Sequence, residues 1–380
     1  MDTTDYVHAG PGTPMGRLLR QFWQPIAVAA RLAPGAALPI RLMNEDLTLY
    51  RGEGGAPHVV AFRCAHRGTQ LSTGWVEGDC VRCFYHGWKY DGSGQCVEMP
   101  AEDPSFPPKV RIASYPVREY AGLVFVYMGQ GAPPPFPRKA ELDRDFGVKW
   151  TEQRIWPCNW FQRIENSVDG VHVSFVHSSS RFGQAVTPAV PTLEFEETEW
   201  GIRMMARRGE GNARVSEIHW PNCNHIVTPM LAGRHPWVDL FNWFVPIDDE
   251  TSALFSSRCA PLRGEAARDF ETRLAEHRDY NPVVDEEALF AQRIRPEDTP
   301  DEVSAQDYLA QVGQGRIADR AEERLGRSDA GIILMRRLFR REMEAIVQGR
   351  PGKDWRTRGE LAHLPVPPGV PPAPDFELAR

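Results

Sequence analysis

The chain of 380 residues contains no apolar run approaching the roughly 20 residues that a membrane-spanning helix requires. Its opening, Met1-Asp-Thr-Thr-Asp-Tyr6, lacks the basic and apolar segments of a secretory leader, so a cytoplasmic location with reduced thiols is expected. Positive charge is not in excess. The 44 Lys and Arg residues face 51 Asp and Glu, a formal charge of −7, which argues against a nucleic acid or a membrane surface as partner. A reducing compartment also leaves the seven cysteines without a disulfide framework to explain them. Four of these crowd between Cys64 and Cys96, while Cys158, Cys223 and Cys259 are scattered. At about 150 residues per domain, the length suggests two domains.

From Ile40 to Tyr127 the chain is built of short β runs, such as Leu47-Thr-Leu-Tyr50 and Leu123-Val-Phe-Val-Tyr127, separated by glycine turns. A helical segment with a turn at Pro11 to Met15 precedes them. The Pro-rich stretch Gly129-Gln-Gly-Ala-Pro-Pro-Pro-Phe-Pro137 reads as a linker. A helical pattern follows over residues 160–176, and strand-like aromatic runs return over 192–258. Two further helices are expected over 314–325 and 330–347. Ser328 and Asp329 would cap the second, and Gly349 with Pro351 would stop it. The tail over 365–374 is Pro-rich and reads as an extended strap.

Two boxes, Cys64-Ala-His66-Arg67-Gly68 and Cys83-Phe-Tyr-His86-Gly87-Trp88, place four metal-binding side chains on two loops. Zinc takes Cys2His2, but its usual boxes pair Cys with Cys and His with His. Here each box mixes the two types, which suits a two-iron centre with both thiolates on one iron and both imidazoles on the other. The glycines would let the backbone approach the cluster and donate N–H groups to its sulfurs. At these residues the chain resembles the Rieske [2Fe-2S] domains, and specifically those of the Rieske non-haem iron oxygenases. The respiratory Rieske proteins carry a loop-to-loop disulfide at positions that are Thr69 and Tyr85 here, so that bridge cannot form.

The segment Glu165-Asn166-Ser-Val-Asp169-Gly-Val-His172-Val-Ser-Phe-Val-His177 is the best candidate for an electron acceptor. Asp169 and His172 are spaced to share a helix face. His172 and His177 would stand about 140° apart on an ideal helix, so they converge only where the helix widens or ends. Two imidazoles with open positions begin a 2-His-1-carboxylate site for Fe(II). The pattern Asn-x-x-Asp-x-x-His-x4-His is similar to the mononuclear iron motif of the oxygenase α subunits. The stretch Gln306-Asp307 through Gly315 resembles the Gln-Asp element of the phthalate-dioxygenase-like group. That resemblance makes Asp307 the carboxylate, with Asp319 and Asp329 as fallbacks, and assigns catalytic roles to Asn166 and Asp169. Asp169 would link His172 to a cluster histidine of a neighbouring subunit.

By the same resemblance the fold is α+β. Residues 1–130 would form an all-β Rieske domain with an N-terminal helical extension. Residues 131–380 would form a helix-flanked antiparallel-sheet catalytic domain. The implied cofactors are a [2Fe-2S] cluster, held by Cys64, His66, Cys83 and His86, and mononuclear Fe(II), held by His172, His177 and Asp307. The implied partners are O2, an NAD(P)H-dependent flavin and iron–sulfur reductase, and an aromatic or related substrate. That substrate would be hydroxylated or oxidatively demethylated. A ring of copies, most simply a trimer, would bring one subunit's cluster to the next subunit's iron. A pure Rieske electron carrier is the alternative, but it needs only the first ~110 residues. Among Arg203, Arg207, Arg208 and Arg234, which could recognise a substrate carboxylate, nothing in the sequence singles one out. Arg67 could serve a subunit interface. The aromatic stretch from Trp220 to Pro246 reads mainly as core.

Overall fold

Short strands with apolar alternation, each cut by a turn, build three small antiparallel sheets ahead of the linker. The computed structural model describes residues 2–180, 189–208, 213–229, 237–276 and 280–355. The Pro-rich tail over 365–374 and Arg234 lie outside the described residues. One sheet joins Gln24–Val28, Leu123–Val126 and Val117–Tyr120. A second joins Ala37–Leu42, Glu45–Arg51, Pro57–Ala61 and Ser114–Tyr115, and a third joins Trp75–Glu77, Cys80–Arg82, Lys89–Asp91 and Cys96–Glu98.

The second half is organised by a seven-stranded antiparallel sheet. Its spatial order is Val148–Trp156, Ser252–Ala260, Trp237–Pro246, Cys223–Pro229, Ala213–His219, Gly201–Arg207 and Thr192–Glu197. Side chains alternate across it. Met204, Ala206, Asn224, Ile226, Leu240 and Asn242 turn one face to a cavity. On the other face Phe241 and Trp243 join the main core, where the Trp243 and Phe125 rings meet at 5.5 Å. The aromatic stretch is therefore core on one face and cavity wall on the other.

The helix Ala330–Val347 buries Met335, Leu338, Phe339, Met343 and Ile346, a helical stripe. The N-terminal helix Pro14–Leu19, capped by Thr13, packs against it, and Arg17 Nη2 donates to Ile346 O at 3.3 Å. One apolar core thus runs without interruption from Leu19 and Phe125 to Trp243 and Phe339.

Three expectations need correction. Residues 160–176 are not one helix. Trp160–Glu165 passes into a tight turn at Asn166–Val168, Asp169 is extended, and a short helix restarts at His172–Phe175. The Asp169 carboxylate accepts hydrogen bonds from Val171 N (3.0 Å) and His172 N (3.3 Å), which competes with helical pairing. Asp169 and His172 consequently flank a helix break and do not share a face. Residues 314–325 are not helical either. The helix lies earlier, at Glu302–Val312, and Gly315 turns the chain with φ +95°. Gln162 holds the segment that follows, donating to Gln311 O and Gly315 O and accepting from Ala318 N, each at 2.9 Å. Asp329 does stand at the start of Ala330–Val347, but its carboxylate accepts from Gly326 N (2.6 Å) and not from the helix.

Candidate metal centres and the catalytic cavity

The two Cys/His boxes form matching loops. Cys64 N donates to Thr69 O (2.9 Å) and Gly68 N to Cys64 O (3.0 Å), while Cys83 N donates to Trp88 O (2.8 Å) and Gly87 N to Cys83 O (3.1 Å). Gly68 and Gly87 take φ of +75° and +74°, so their work is to close the turns. Their own N–H groups go to the Cys64 and Cys83 carbonyls. Cys64 and Cys83 are buried, whereas His66 and His86 are exposed with ring centroids 4.4 Å apart. Two buried thiols and two exposed imidazoles fit the donor set of a two-iron cluster, which these four residues would hold. His66 stacks on Trp88 at 4.5 Å, and Arg67 lies over the Tyr85 ring.

The second constellation also converges. One ligand atom from each of His172, His177 and Asp307 lies within 4.8 Å of the other two. The helix break delivers His172, and Glu302–Val312 delivers Asp307 from the opposite side. His172 Nδ1 is hydrogen-bonded to Asp169 O, and His177 Nδ1 lies 2.8 Å from Gln306 Oε1. Each ring therefore turns Nε2 inward. His177 Nε2 lies 3.5 Å from Asp307 Oδ1, and Asn166 Nδ2 lies 3.4 Å from His172 Nε2 and 3.5 Å from Asp307 Oδ1. Two imidazoles with their outer nitrogens occupied, plus one carboxylate, fit a facial metal site with open positions.

The charges of these side chains act on one another. Burial works against a protonated His177, but the Asp307 hydrogen bond and charge outweigh it and hold the proton above the usual imidazole range. Burial likewise opposes ionisation of Asp307, yet His177, His172 and Arg163 keep its carboxyl below the usual range. Burial pushes His172 down. The fallbacks do not reach this point: the Asp319 carboxylate accepts from Ala321 N, and Asp329 is at its helix start.

The three side chains border a cavity of about 760 Å³. One wall carries Glu152 paired with Arg154 and Arg258, and Arg154 also bonds Asp301 (2.8 Å). Two other buried His/acid groups, Glu217-His219-His225 and Glu141-His225-Asp239, share His225. Phe241 belongs to this group, its ring stacked on His225, and Phe241 faces the main core and not the cavity. Cations already occupy the group: Lys139 Nζ lies 2.6 Å from His219 Nδ1, Arg144 bonds Asp239 (2.8 Å) and Arg203 bonds Glu217 (3.1 Å). The donors there are compensated by charge and hold the linker against the sheet.

Comparison with known proteins matches the Rieske [2Fe-2S] domain family over residues 22–119 and the family described as LigXa C-terminal domain like over residues 126–358. The oxygenase subunit of 5,5'-dehydrodivanillate O-demethylase from Sphingobium sp. strain SYK-6 is 36% identical, covering 90% of this chain and 80% of that protein. The chain belongs to the Rieske non-haem iron oxygenases. The phthalate 4,5-dioxygenase oxygenase subunit of Pseudomonas putida is 31% identical over 92% of this chain and 86% of its own length. The terminal oxygenase of carbazole 1,9a-dioxygenase from Novosphingobium sp. KA1 shares the fold, with TM-score 0.66 and 23% identity over 93% of this chain and 99% of that one. As a Rieske oxygenase subunit of a multicomponent system, the protein is a terminal oxygenase and not a bare electron carrier. It carries a [2Fe-2S] cluster and a mononuclear iron. Among the described residues, no helix is long and apolar enough to cross a membrane.

The role of one side chain, Tyr90, is not visible in the sequence, and for Gln306 the residue is legible there but its contact is not. Tyr90 Oη lies 3.3 Å from Cys64 Sγ and accepts from Ala65 N (3.2 Å), so its own proton is free to point at the sulfur. Tyr90→Phe removes a donor that favours the reduced, more negative cluster. The Rieske potential is expected to fall, measurable by spectroelectrochemistry with unchanged iron content. Gln306, beside Asp307 in sequence, fixes the His177 ring and donates to Ser179 Oγ (3.2 Å). Gln306→Leu should weaken mononuclear iron binding by about 10- to 100-fold, read by iron titration of the stripped protein.

Proposed function

We propose that this oxygenase holds its Rieske cluster with Cys64, His66, Cys83 and His86, and its catalytic iron with His172, His177 and Asp307. The observation that carries the reading is the convergence of the latter three ligand atoms within 4.8 Å at the edge of the cavity. The cluster supplies single electrons and the mononuclear iron supplies O2 activation. The protein's own groups do the positioning. Asp169 O and Gln306 orient the two imidazoles, Asn166 links His172 to Asp307, and the cavity walls hold an aromatic substrate beside them. Hydroxylation and oxidative demethylation are the reactions this arrangement serves. The residues up to about 130 form the electron-accepting part and residues 131–380 the catalytic part.

Electrons come from an NAD(P)H-dependent flavin and iron–sulfur reductase in the cytoplasm, and the oxygenase works as a trimer. The exposure of His66 and His86 supports docking of the cluster tip against another protein surface. Iron counting on the purified protein is expected to give three irons per chain, with a Rieske visible spectrum. Two irons per chain would leave only electron transport. Product analysis with reductase and a panel of aromatic acids, aryl ethers and N-methyl compounds identifies the reaction.

A further inference from the structure

A buried charge is costly unless an opposite charge meets it, so each cation bordering the cavity has to be accounted for. On the wall formed by Val148–Trp156 and Ser252–Ala260 the arginines already have acids: Arg154 and Arg258 pair with Glu152, and Arg154 also pairs with Asp301. Arg163 differs. It is 1% exposed and borders the same cavity, yet among the described residues no carboxylate pairs with it. Its Nη1 makes long contacts to neutral acceptors, Ser252 O (3.4 Å) and Ser252 Oγ (3.3 Å), and its Nε is buried without a hydrogen-bond partner. The guanidinium lies 4.0 Å over the Trp156 ring and 5.9 Å from that of Phe244. Aromatic faces hold a cation in place but do not neutralise it.

The sequence position of Arg163 explains where this charge points. Arg163 stands on the helix Trp160–Glu165, and Asn166 caps its end in helical conformation three residues later, on the same face. Asn166 Nδ2 reaches Asp307 Oδ1 at 3.5 Å and His172 Nε2 at 3.4 Å. The Arg163 charge also acts on Asp307 and helps to keep it a carboxylate. Asp307 is therefore the anion nearest to answering this cation. A divalent metal on His172, His177 and Asp307 takes over that negative charge and leaves the guanidinium as a second positive charge beside it.

We propose that Arg163 is a fixed counter-charge of the iron site, a positioning residue that acts through its field. It weakens the site's hold on cations and strengthens its hold on small anions at the metal's open positions. The proposal rests on the oxygenase reading above and adds the electrostatic setting of that same site. The same sign favours the ferrous over the ferric metal, because the additional positive charge of the ferric ion is repelled more strongly. A neutral side chain in its place reverses both binding effects. A loosened fold, by contrast, weakens both.

The test uses the oxygenase with its Rieske cluster in place and the mononuclear site emptied by chelation, with Co2+ as the metal probe and azide as the anion probe. Calorimetry reads Co2+ affinity, and EPR of the Co2+-loaded protein with the cluster oxidised reads azide affinity. Arg163→Met is expected to bind Co2+ about tenfold more tightly, and azide about tenfold more weakly, than the wild type. Arg163→Lys keeps the charge and should stay within about threefold of the wild type on both. Rieske absorbance reports whether each variant is folded, and Arg163→Gln supplies the neutral state a second time should the Met variant lose it. Weaker binding of both probes in the neutral variants, or no change in either, marks Arg163 as structural and overturns the proposal. A Lys variant that behaves like the neutral ones overturns it too, as does a Co2+-loaded wild type that binds no azide. A wild type that takes up no Co2+ sinks the iron-site reading itself, whereas normal Co2+ uptake with unshifted variants sinks the counter-charge alone.

Discussion

Asp307→Ala is expected to keep the Rieske absorption, to lose the iron beyond the cluster's two, and to turn over about 1,000-fold or more slowly. The reason is local. Asp307 is the only carboxylate whose oxygen reaches both histidines among the described residues, at 3.5 Å from His177 Nε2 and with Asn166 spanning to His172 Nε2. Removing it leaves two imidazoles, too few to hold Fe(II) against solution. The cluster boxes lie in loops of the two four-stranded sheets and share no hydrogen bond with Glu302–Val312, so their spectrum should be untouched. Metal analysis and visible spectroscopy on the same sample check both halves of the expectation. Retention of three irons and full turnover would falsify the assignment of Asp307.

The second large effect is expected at Asp169. Its carboxylate caps the broken helix through Val171 N and His172 N, and Oδ2 lies 3.7 Å from His172 Nδ1 while remaining partly exposed. Asn keeps the shape and one acceptor oxygen but removes the charge. Asp169→Asn should therefore retain both iron centres and lose about 100-fold in turnover with reductase. Rapid-mixing spectroscopy distinguishes the causes. If the reduced cluster reoxidises at the wild-type rate with substrate and O2 present, Asp169 only shapes the site. If reoxidation slows together with turnover, the carboxylate contributes to electron delivery.

The parts that were legible in the sequence are those carried by local spacing. Both Cys/His boxes and the short strands around them depend on residues within one turn or one hairpin. The pair His172 and His177 was also readable, but the way the chain brings them together was not. The break at Asp169 arises from a side chain that outcompetes helical pairing, and periodicity does not encode that competition. Asp307 came through resemblance and not through spacing, because the distance to its partners is set by Glu302–Val312 packing over the sheet. The misplaced helix over 314–325 shows the same blindness, since Gln162, more than 150 residues earlier, supplies the hydrogen bonds that hold that segment. Of Arg203, Arg207 and Arg208 only Arg208 borders the cavity, and spacing alone could not show that.

The uninterrupted core from Leu19 and Phe125 to Trp243 and Phe339 has a consequence for how the protein unfolds. The first helix rests on the last, so part of the electron-accepting half closes only against C-terminal residues, while the cluster boxes keep a smaller core of their own around Val81, Trp88 and Tyr90. The halves should melt in one cooperative transition. A cut in the linker would leave each piece with a torn apolar surface and make the isolated N-terminal fragment prone to aggregate. The two redox centres are separate in chemistry but share one fate in folding.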